Sequence, residues 1–392
     1  MSMSQVSLYN RYRPACFAEI ISQEPIVRVL TNAIKSDRVA NAYLFRGTKG
    51  SGKTSTARIL CKAVNCHRFK ALGDLCGECE GCLNALNEAV EIDAASNRGV
   101  DDVEELIEQL KYLPKLVDVK FIIIDEAHQL TTTALNALLK VVEEPPRHIR
   151  FIFCTTKELP SAASVERSGT LTDKAFMTLS SRCQIFRFTK IVDEGILDKL
   201  KFICNQESIN VNEETLLSIV GRSSGSLRDA ENLLDSVFSF GGEDAISILY
   251  SDSSLLTAQL FKSCCFGSIG ESLSLVSQIW NLGGTTNELA EDLLNYILDI
   301  FQARSGLTVY RPSAIVEIIK EISENVEQNR LNSIAVAFGD LQRSNKESIL
   351  AMELAVCWSM SSQIDSPQVE KDLKLPLASK IDIEELPDAT IW

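Results

Sequence analysis

The sequence predicts an α/β chain built on a parallel sheet and continued by an all-helical region. Two observations predict the sheet. Phe121-Ile122-Ile123-Ile124 is apolar on both faces, the pattern of a strand buried between two layers of helices. A second apolar run, Ala42-Tyr43-Leu44-Phe45, leads through a glycine-rich turn into Thr56, Ile59, Leu60 and Ala63. Those four fall at i, i+3, i+4 and i+7, one face of a helix. A third observation predicts the rest: from about residue 245 to 364 the chain is helix-rich and free of catalytic patterns. At 392 residues two or three domains are expected. The hydrophobic share of 45% and charged share of 23% are ordinary for a globular protein. The net charge of −14 argues against broad nucleic-acid binding through a basic surface, while leaving room for a local contact. No apolar run is long enough to span a bilayer, and the N-terminus lacks a signal-peptide pattern. A cytoplasmic location with no membrane partner is therefore expected.

The N-terminal segment carries Tyr9-Asn10-Arg11-Tyr12-Arg13-Pro14 ahead of a helix opened by Pro25, with Ile26, Val29, Leu30 and Ala33 as its apolar stripe. Read alone, it is a surface arm followed by a core helix. The turn after the first strand, Gly47-Thr48-Lys49-Gly50-Ser51-Gly52-Lys53-Thr54, fits G-x-x-x-x-G-K-[ST]. Its glycines let successive N–H groups point at phosphate oxygens, and the helix N-terminus that follows adds its own attraction for anions. Lys53 supplies the positive charge for β- and γ-phosphates, and Thr54 a hydroxyl ligand for Mg²⁺.

Cys66, Cys76, Cys79 and Cys82 then crowd into one stretch, a module over residues 64–84. In a reducing compartment such a pattern suggests metal before disulfide. Four thiolates close a tetrahedral Zn²⁺ site with no open position, which favours a structural over a catalytic metal. An iron–sulfur cluster is the rival, but the Cys and Pro that continue the ferredoxin run are replaced by Leu83-Asn84-Ala85-Leu86. Free thiols are the third possibility, and His67 is a spare ligand beside Cys66.

Glu91 to Gly99 precedes a helix with Val103, Leu106, Ile107 and Leu110 on one face and acids in its first turn, which suit the helix dipole. The buried strand Phe121–Ile124 ends in Asp125-Glu126. Asp125 would hold Mg²⁺ and Glu126 would polarise an attacking water. Asp125-Glu126-Ala127-His128 also spells a helicase signature, but the rest of that pattern is absent. Leu135, Leu138, Leu139 and Val142 form the next helix face, closed by Pro145-Pro146. Phe151-Ile152-Phe153-Cys154 is a further strand, ending at Thr155-Thr156. A threonine there either senses the γ-phosphate or merely caps the strand. Residues 157–180 read as polar and irregular, and Gln184 to Phe188 as an alternating strand. Two helices follow, one with Leu216, Ile219 and Val220, broken by Gly221 and Gly225, the other with Ala230, Leu233, Leu234 and Val237. Gly241-Gly242 reads as a boundary, Cys264, Cys265 and Cys357 as core, and 365–392 as a flexible tail.

Taken together, Tyr12-Arg13-Pro14 with Ser22-Gln23-Glu24, Gly47 to Thr54, the cysteine insert, Glu91 to Gly99, Asp125-Glu126, Leu135 to Pro145, Ser181-Arg182-Cys183 and Gly225-Ser226-Leu227-Arg228-Asp229 resemble the gamma/tau ATPase of the bacterial DNA polymerase III clamp loader, of the AAA+ class. The cysteine insert and Ser-Arg-Cys are the specific parts, and the match covers roughly residues 9–240. The resemblance implies an AAA+ P-loop ATPase core over 1–180 with a zinc-binding insert, a helical lid over 181–242 and a helical collar over 243–364. It places Thr155 at sensor 1, Arg228 at sensor 2, and Arg182 as an arginine finger serving a neighbour's ATP. It puts Arg11 to Pro14, and Arg13 with them, near the adenine.

The function implied is an ATP-hydrolysing subunit of the polymerase holoenzyme that loads a sliding clamp onto primed DNA during replication. No polymerase active site is expected in this chain. The partners implied are delta, delta-prime and further gamma/tau copies in a ring, together with clamp and DNA. Two departures stand out: the segment between Thr156 and Ser181 is long for the family, and the chain ends soon after the collar, as in the short gamma form. A non-hydrolysing, delta-prime-like subunit is one alternative, and another AAA+ DNA-processing motor is the other.

Overall fold

The computed structural model describes residues 6–96, 99–158, 170–239, 252–311, 313–344 and 347–361. Asn97, Arg98, the Gly241-Gly242 boundary and the tail expected over 365–392 lie outside the described residues. The chain divides into two compact units: Met1–Ser251 with Val309–Ser313, and Asp252–Thr308 with Ala314–Trp392.

The first unit is organised by five strands, β1 (Ala42–Gly47), β2 (Val90–Asp93), β3 (Lys120–Asp125), β4 (Ile149–Thr155) and β5 (Gln184–Phe188). They lie in the order β2-β3-β4-β1-β5, and every neighbouring pair is parallel. Apolar residues on both faces follow from this layering. Tyr43, Phe45, Phe121 and Ile123 enter one core, while Ala42, Leu44, Ile122 and Ile124 enter the other. After β1 the chain skips past β4 and β3 to build the far edge. The C-terminal end of β1 is therefore a topological switch point, where open α/β sheets bind ligands.

The helix Lys53–Val64 buries Thr56, Ile59, Leu60 and Ala63, as its spacing predicts. The helix Glu24–Lys35 differs in detail. It buries Ile26, Leu30 and Ile34, so Val29 faces outward and is 44% exposed.

Three expectations change. Residues 157–180 are not irregular throughout: Leu171–Ser180 is a helix that buries Ala175, Phe176 and Leu179. Ala175 and Phe176 are adjacent, only Leu179 follows at helical spacing, and Thr172, Asp173 and Lys174 precede them, so the stripe is too short to show a 3.6-residue period. The rest of that segment, 159–169, lies outside the described residues. The core also runs past residue 180, because β5 pairs with β1 from Tyr43↔Gln184 to Gly47↔Phe188. Finally, Gly221 does not break its helix, which runs Glu213–Ser223. A Cβ there would lie 2.0 Å from the Tyr310 carbonyl oxygen, so glycine permits a close backbone approach. Gly225, at φ +84°, does end the segment, as predicted.

The second unit is helical: Asp252–Phe266, Ile269–Asn281, Thr286–Arg304, Ser313–Asn325 (from Ala314), Gln328–Ser344 and Ile349–Ser361. Phe261 and Tyr296 pack at a 5.9 Å ring separation. Arg330 ties the unit together by donating to the Ser359 carbonyl at 2.6 Å and to that of Cys264. Cys264 is buried, while Cys265 and Cys357 are half-buried.

Candidate functional site

The glycine-rich turn joins β1 to the helix Lys53–Val64 through three glycines at positive φ: Gly47 (+153°), Gly50 (+72°) and Gly52 (+96°). Gly50 also has no room for a side chain, since a Cβ would meet Ser226 Oγ at 2.0 Å. Lys49 reaches Asp229 at 3.9 Å. The turn is thus packed against the start of the helix Leu227–Ser239. Within it, Ser51 Oγ donates to the Thr48 carbonyl at 2.8 Å. Lys53 is buried, and its ammonium donates to the Gly47 and Thr48 carbonyls at 2.9 and 2.8 Å. Burial lowers the Lys53 pKa, opposed by the nearby Cys154, Glu126 and Asp125.

The end of β3 meets this loop. Thr54 Oγ1 donates to Asp125 Oδ2 at 2.7 Å, bringing together the hydroxyl and carboxylate expected around a divalent cation. Glu126 adopts a left-handed backbone (φ 48°, ψ 40°), and its N–H donates to Asp125 Oδ1 at 2.9 Å. Its carboxylate accepts from Thr156 Oγ1 at 3.1 Å and lies 3.3 Å from His128 Nδ1. Burial lowers the His128 pKa, so this contact is to a neutral imidazole at neutral pH. Thr155 is fully buried and hydrogen-bonds His128 Nδ1 at 3.0 Å rather than the carboxylate. His128 and Thr156 were not singled out as site residues from the sequence, although both flank predicted ones.

A pocket runs from Gly50–Ser55 to a second wall formed by Tyr9, Arg13, Pro14, Ile20 and Ile21, and is closed by Ile191, Leu227, Arg228 and Glu231. Arg13 and Pro14 are in that wall. Arg11 and Tyr12 instead turn to Glu207, at 3.0 and 2.5 Å. Arg228 stacks its guanidinium over the Tyr9 ring, 4.7 Å from the centroid. Arg182 is not part of this pocket. It follows the helix Leu171–Ser180 and forks onto Glu143, donating through Nε at 2.6 Å, while Nη1 holds the Thr178 carbonyl at 2.8 Å.

The four cysteines come together as their spacing predicts. All four Sγ atoms lie within 4.8 Å of one another. The Cys66–Cys76 and Cys76–Cys82 sulfur separations are 3.7 and 3.8 Å. A tetrahedral ion with Zn–S bonds of about 2.3 Å requires sulfurs about 3.8 Å apart, so the donor set fits zinc. Backbone N–H groups of Cys76, Cys79 and Cys82 each donate to a cysteine sulfur at 3.4 Å, which favours thiolates. The N–H groups of Glu78 and Cys79 draw the Cys76 thiol down to about 6, while burial pushes that of Cys82 up. Gly81 lets the helix Glu80–Glu88 approach Asn65, since a Cβ would sit 1.8 Å from its carbonyl oxygen. His67 is exposed and outside the cluster.

A strand, glycine loop and helix carrying a buried lysine, with an acidic strand end bonded to the loop's threonine, define a P-loop nucleotide-binding α/β protein. Residues 22–192 match the family model described as DNA polymerase III, delta subunit. The chain is 30% identical to DNA polymerase III subunit gamma of Buchnera aphidicola, over 88% of this chain and 94% of that one. It is 35% identical to DNA polymerase III subunit tau of Bacillus subtilis, over 84% of this chain and 58% of that one. The chain belongs to the DNA polymerase III gamma/tau family. It spans little more than half the length of the Bacillus relative. Among solved structures it is similar to the Thermotoga maritima RuvB Holliday junction branch migration motor, with a TM-score of 0.44 and 17% identity over 64% of this chain and 78% of that one.

Proposed function

We propose that this chain is an ATP-hydrolysing subunit of a DNA polymerase III clamp loader, working in a ring with delta, delta-prime and further copies of its own kind to place a sliding clamp on primed DNA. The observation that carries the reading is the Thr54–Asp125 hydrogen bond of 2.7 Å, which sets both expected Mg²⁺ ligands against the phosphate loop with Glu126 beside them. Gly47 to Gly52 would wrap the phosphates with backbone N–H groups, and Lys53 would exchange its two carbonyl partners for phosphate oxygens. Thr54 and Asp125 would hold Mg²⁺, which would supply positive charge to offset that of the phosphates. Glu126 orients and polarises the attacking water, held for that task by Thr156 and neutral His128. Thr155 acts as sensor 1 through His128, and Arg228 as sensor 2 from the pocket wall. Arg13 lies at the base end.

Arg182 serves the neighbouring subunit's nucleotide. A guanidinium stays charged and forks onto phosphate, and such trans arginines accelerate phosphoryl transfer by about 10³–10⁵. The helices Asp193–Glu207, Glu213–Ser223 and Leu227–Ser239 form the lid, the second unit forms the collar, and Cys66, Cys76, Cys79 and Cys82 hold structural Zn²⁺. The collar reading is supported by Ile349–Ser361. That helix is mostly apolar, with Glu353 its one charged residue, and its Leu350, Leu354 and Trp358 stand exposed at i, i+4 and i+8, a stripe suited to a neighbouring helix.

The test is ATP binding and DNA-stimulated turnover in a reconstituted ring. Lys53→Ala is expected to abolish binding. Glu126→Gln is expected to bind ATP while turnover falls at least about a hundredfold. Undiminished turnover in both would overturn the reading. A non-hydrolysing, delta-prime-like role is the second reading, disfavoured by the intact Lys53, Thr54, Asp125 and Glu126 constellation. It predicts that Glu126→Gln leaves the ring's turnover unchanged.

A further inference from the structure

Glu231 sits in the wall of the nucleotide pocket and has no place in the chemistry above. It lies four residues after Leu227 and three after Arg228, so all three share one face of their helix, and all three line the pocket. Its side chain is only 4% exposed, and Oε1 is buried without a hydrogen-bond partner. A buried oxygen left unsatisfied is destabilising, because it has given up water and gained no partner. A carboxyl group facing a ligand pocket and kept in that state is a candidate ligand contact.

The pocket is chemically divided. One end is the phosphate loop, Gly50 to Thr54. The rest of the lining includes Pro14, Ile20, Ile21, Ile191 and Leu227, apolar surfaces suited to the faces of a flat ring, interspersed with polar side chains such as Arg13 and Glu19. The apolar surfaces grip a base without reading its edge. Edge reading needs a polar atom with a free hydrogen-bonding position, and Glu231 Oε1 is one.

We propose that Glu231 is the residue that reads the edge of the base, its Oε1 accepting a hydrogen bond from the exocyclic 6-amino group of adenine. This inference rests on the reading of the pocket as a nucleotide site. The protonation state agrees with the role. Burial pushes the Glu231 carboxyl up to about 8, against the pull of Lys199 and Arg13. A neutral carboxylic acid places an acceptor beside a donor, as adenine's amino group and adjacent ring nitrogen require. Its Oε1 would gain in the complex the partner it lacks in the chain.

The test is a binding cycle on the full chain by calorimetry, using ATP and purine riboside triphosphate, which lacks only the 6-amino group. In the unmodified chain, losing the amino group is expected to weaken binding about 5–10-fold, the worth of one hydrogen bond. Glu231→Leu fills the same buried helical position with an apolar side chain, and the ratio is expected to fall to about one. Glu231→Gln keeps an acceptor beside a donor and is expected to keep the ratio. Equal ratios in the unmodified and leucine chains, or no sensitivity to the 6-amino group at all, would overturn the proposal while leaving the nucleotide site intact. Failure of the unmodified chain to bind either triphosphate would overturn the nucleotide reading, and this proposal with it.

Discussion

Glu231 ties its ionisation to folding even without ligand, because its carboxyl is shifted from an ordinary 4.5 to about 8 by burial. A raised folded-state pKa means the folded chain binds the proton more tightly than the unfolded one. The stabilising contribution is therefore complete below about 4.5 and is lost as pH rises through about 8. Thermal melts should show Glu231→Leu gaining stability relative to the unmodified chain between pH 5 and pH 8. Parallel pH profiles for the two would refute this. Lys53, Thr54 and Asp125 were legible in the sequence because a single short turn and a strand end dictate where they lie. Glu231, His128 and Thr156 were not, since their significance depends on which distant side chains the fold brings near. The threonine pair illustrates the limit. Thr155 closes β4 and Thr156 lies just past it, and that single step changes the partner from His128 to Glu126.

Among the elements, sequence reading lost the helix Asp193–Glu207 and also the helix Leu171–Ser180. Its start is fixed by a capping box: Thr170 Oγ1 accepts from the Asp173 N–H at 3.1 Å, and Asp173 accepts from the Thr170 N–H at 3.1 Å. Lys157 adds an ion pair to Asp173 at 2.6 Å. Thr170→Ala should cost about 1 kcal/mol of stability in denaturant titration, and a change below about 0.3 would show that the cap is dispensable. The same helix leads directly into Arg182, the residue proposed to act in trans. Arg182→Ala should leave ATP binding by its own isolated chain unchanged while lowering turnover of the assembled ring. Loss of binding in the isolated chain would make Arg182 a local structural residue held by Glu143. Strands β1, β3 and β4 were legible because burial on both faces demands unbroken apolar runs. The edge strand β5 was also legible, through its alternation, but its membership of the sheet was not. Pairing partners 141 residues apart, Tyr43 and Gln184, leave no trace in local pattern.

For the whole molecule, the cysteine module and the sheet depend on different forces. The module's sulfurs come from a stretch too short for a core of its own, so the ion would supply much of its local stability. Chelation should lower the melting temperature and release the helix Glu80–Glu88, read by calorimetry beside elemental analysis. Protein purified without chelator that contains no zinc, and melts identically with chelator, would defeat this. The division into α/β and helical parts was legible from composition and periodicity, whereas the end of the sheet was not, because β5 returns to it after a helix. The position of β1 between β4 and β5 has a consequence for synthesis. The strand that carries the phosphate loop is made first, but its two flanking neighbours are made last. At ribosomal rates of about 5–20 residues per second, the nascent strand waits roughly 5–22 s for β4 and roughly 7–28 s for β5. During that interval the cysteine module, all of whose ligands lie within residues 66–82, is already complete and free to close.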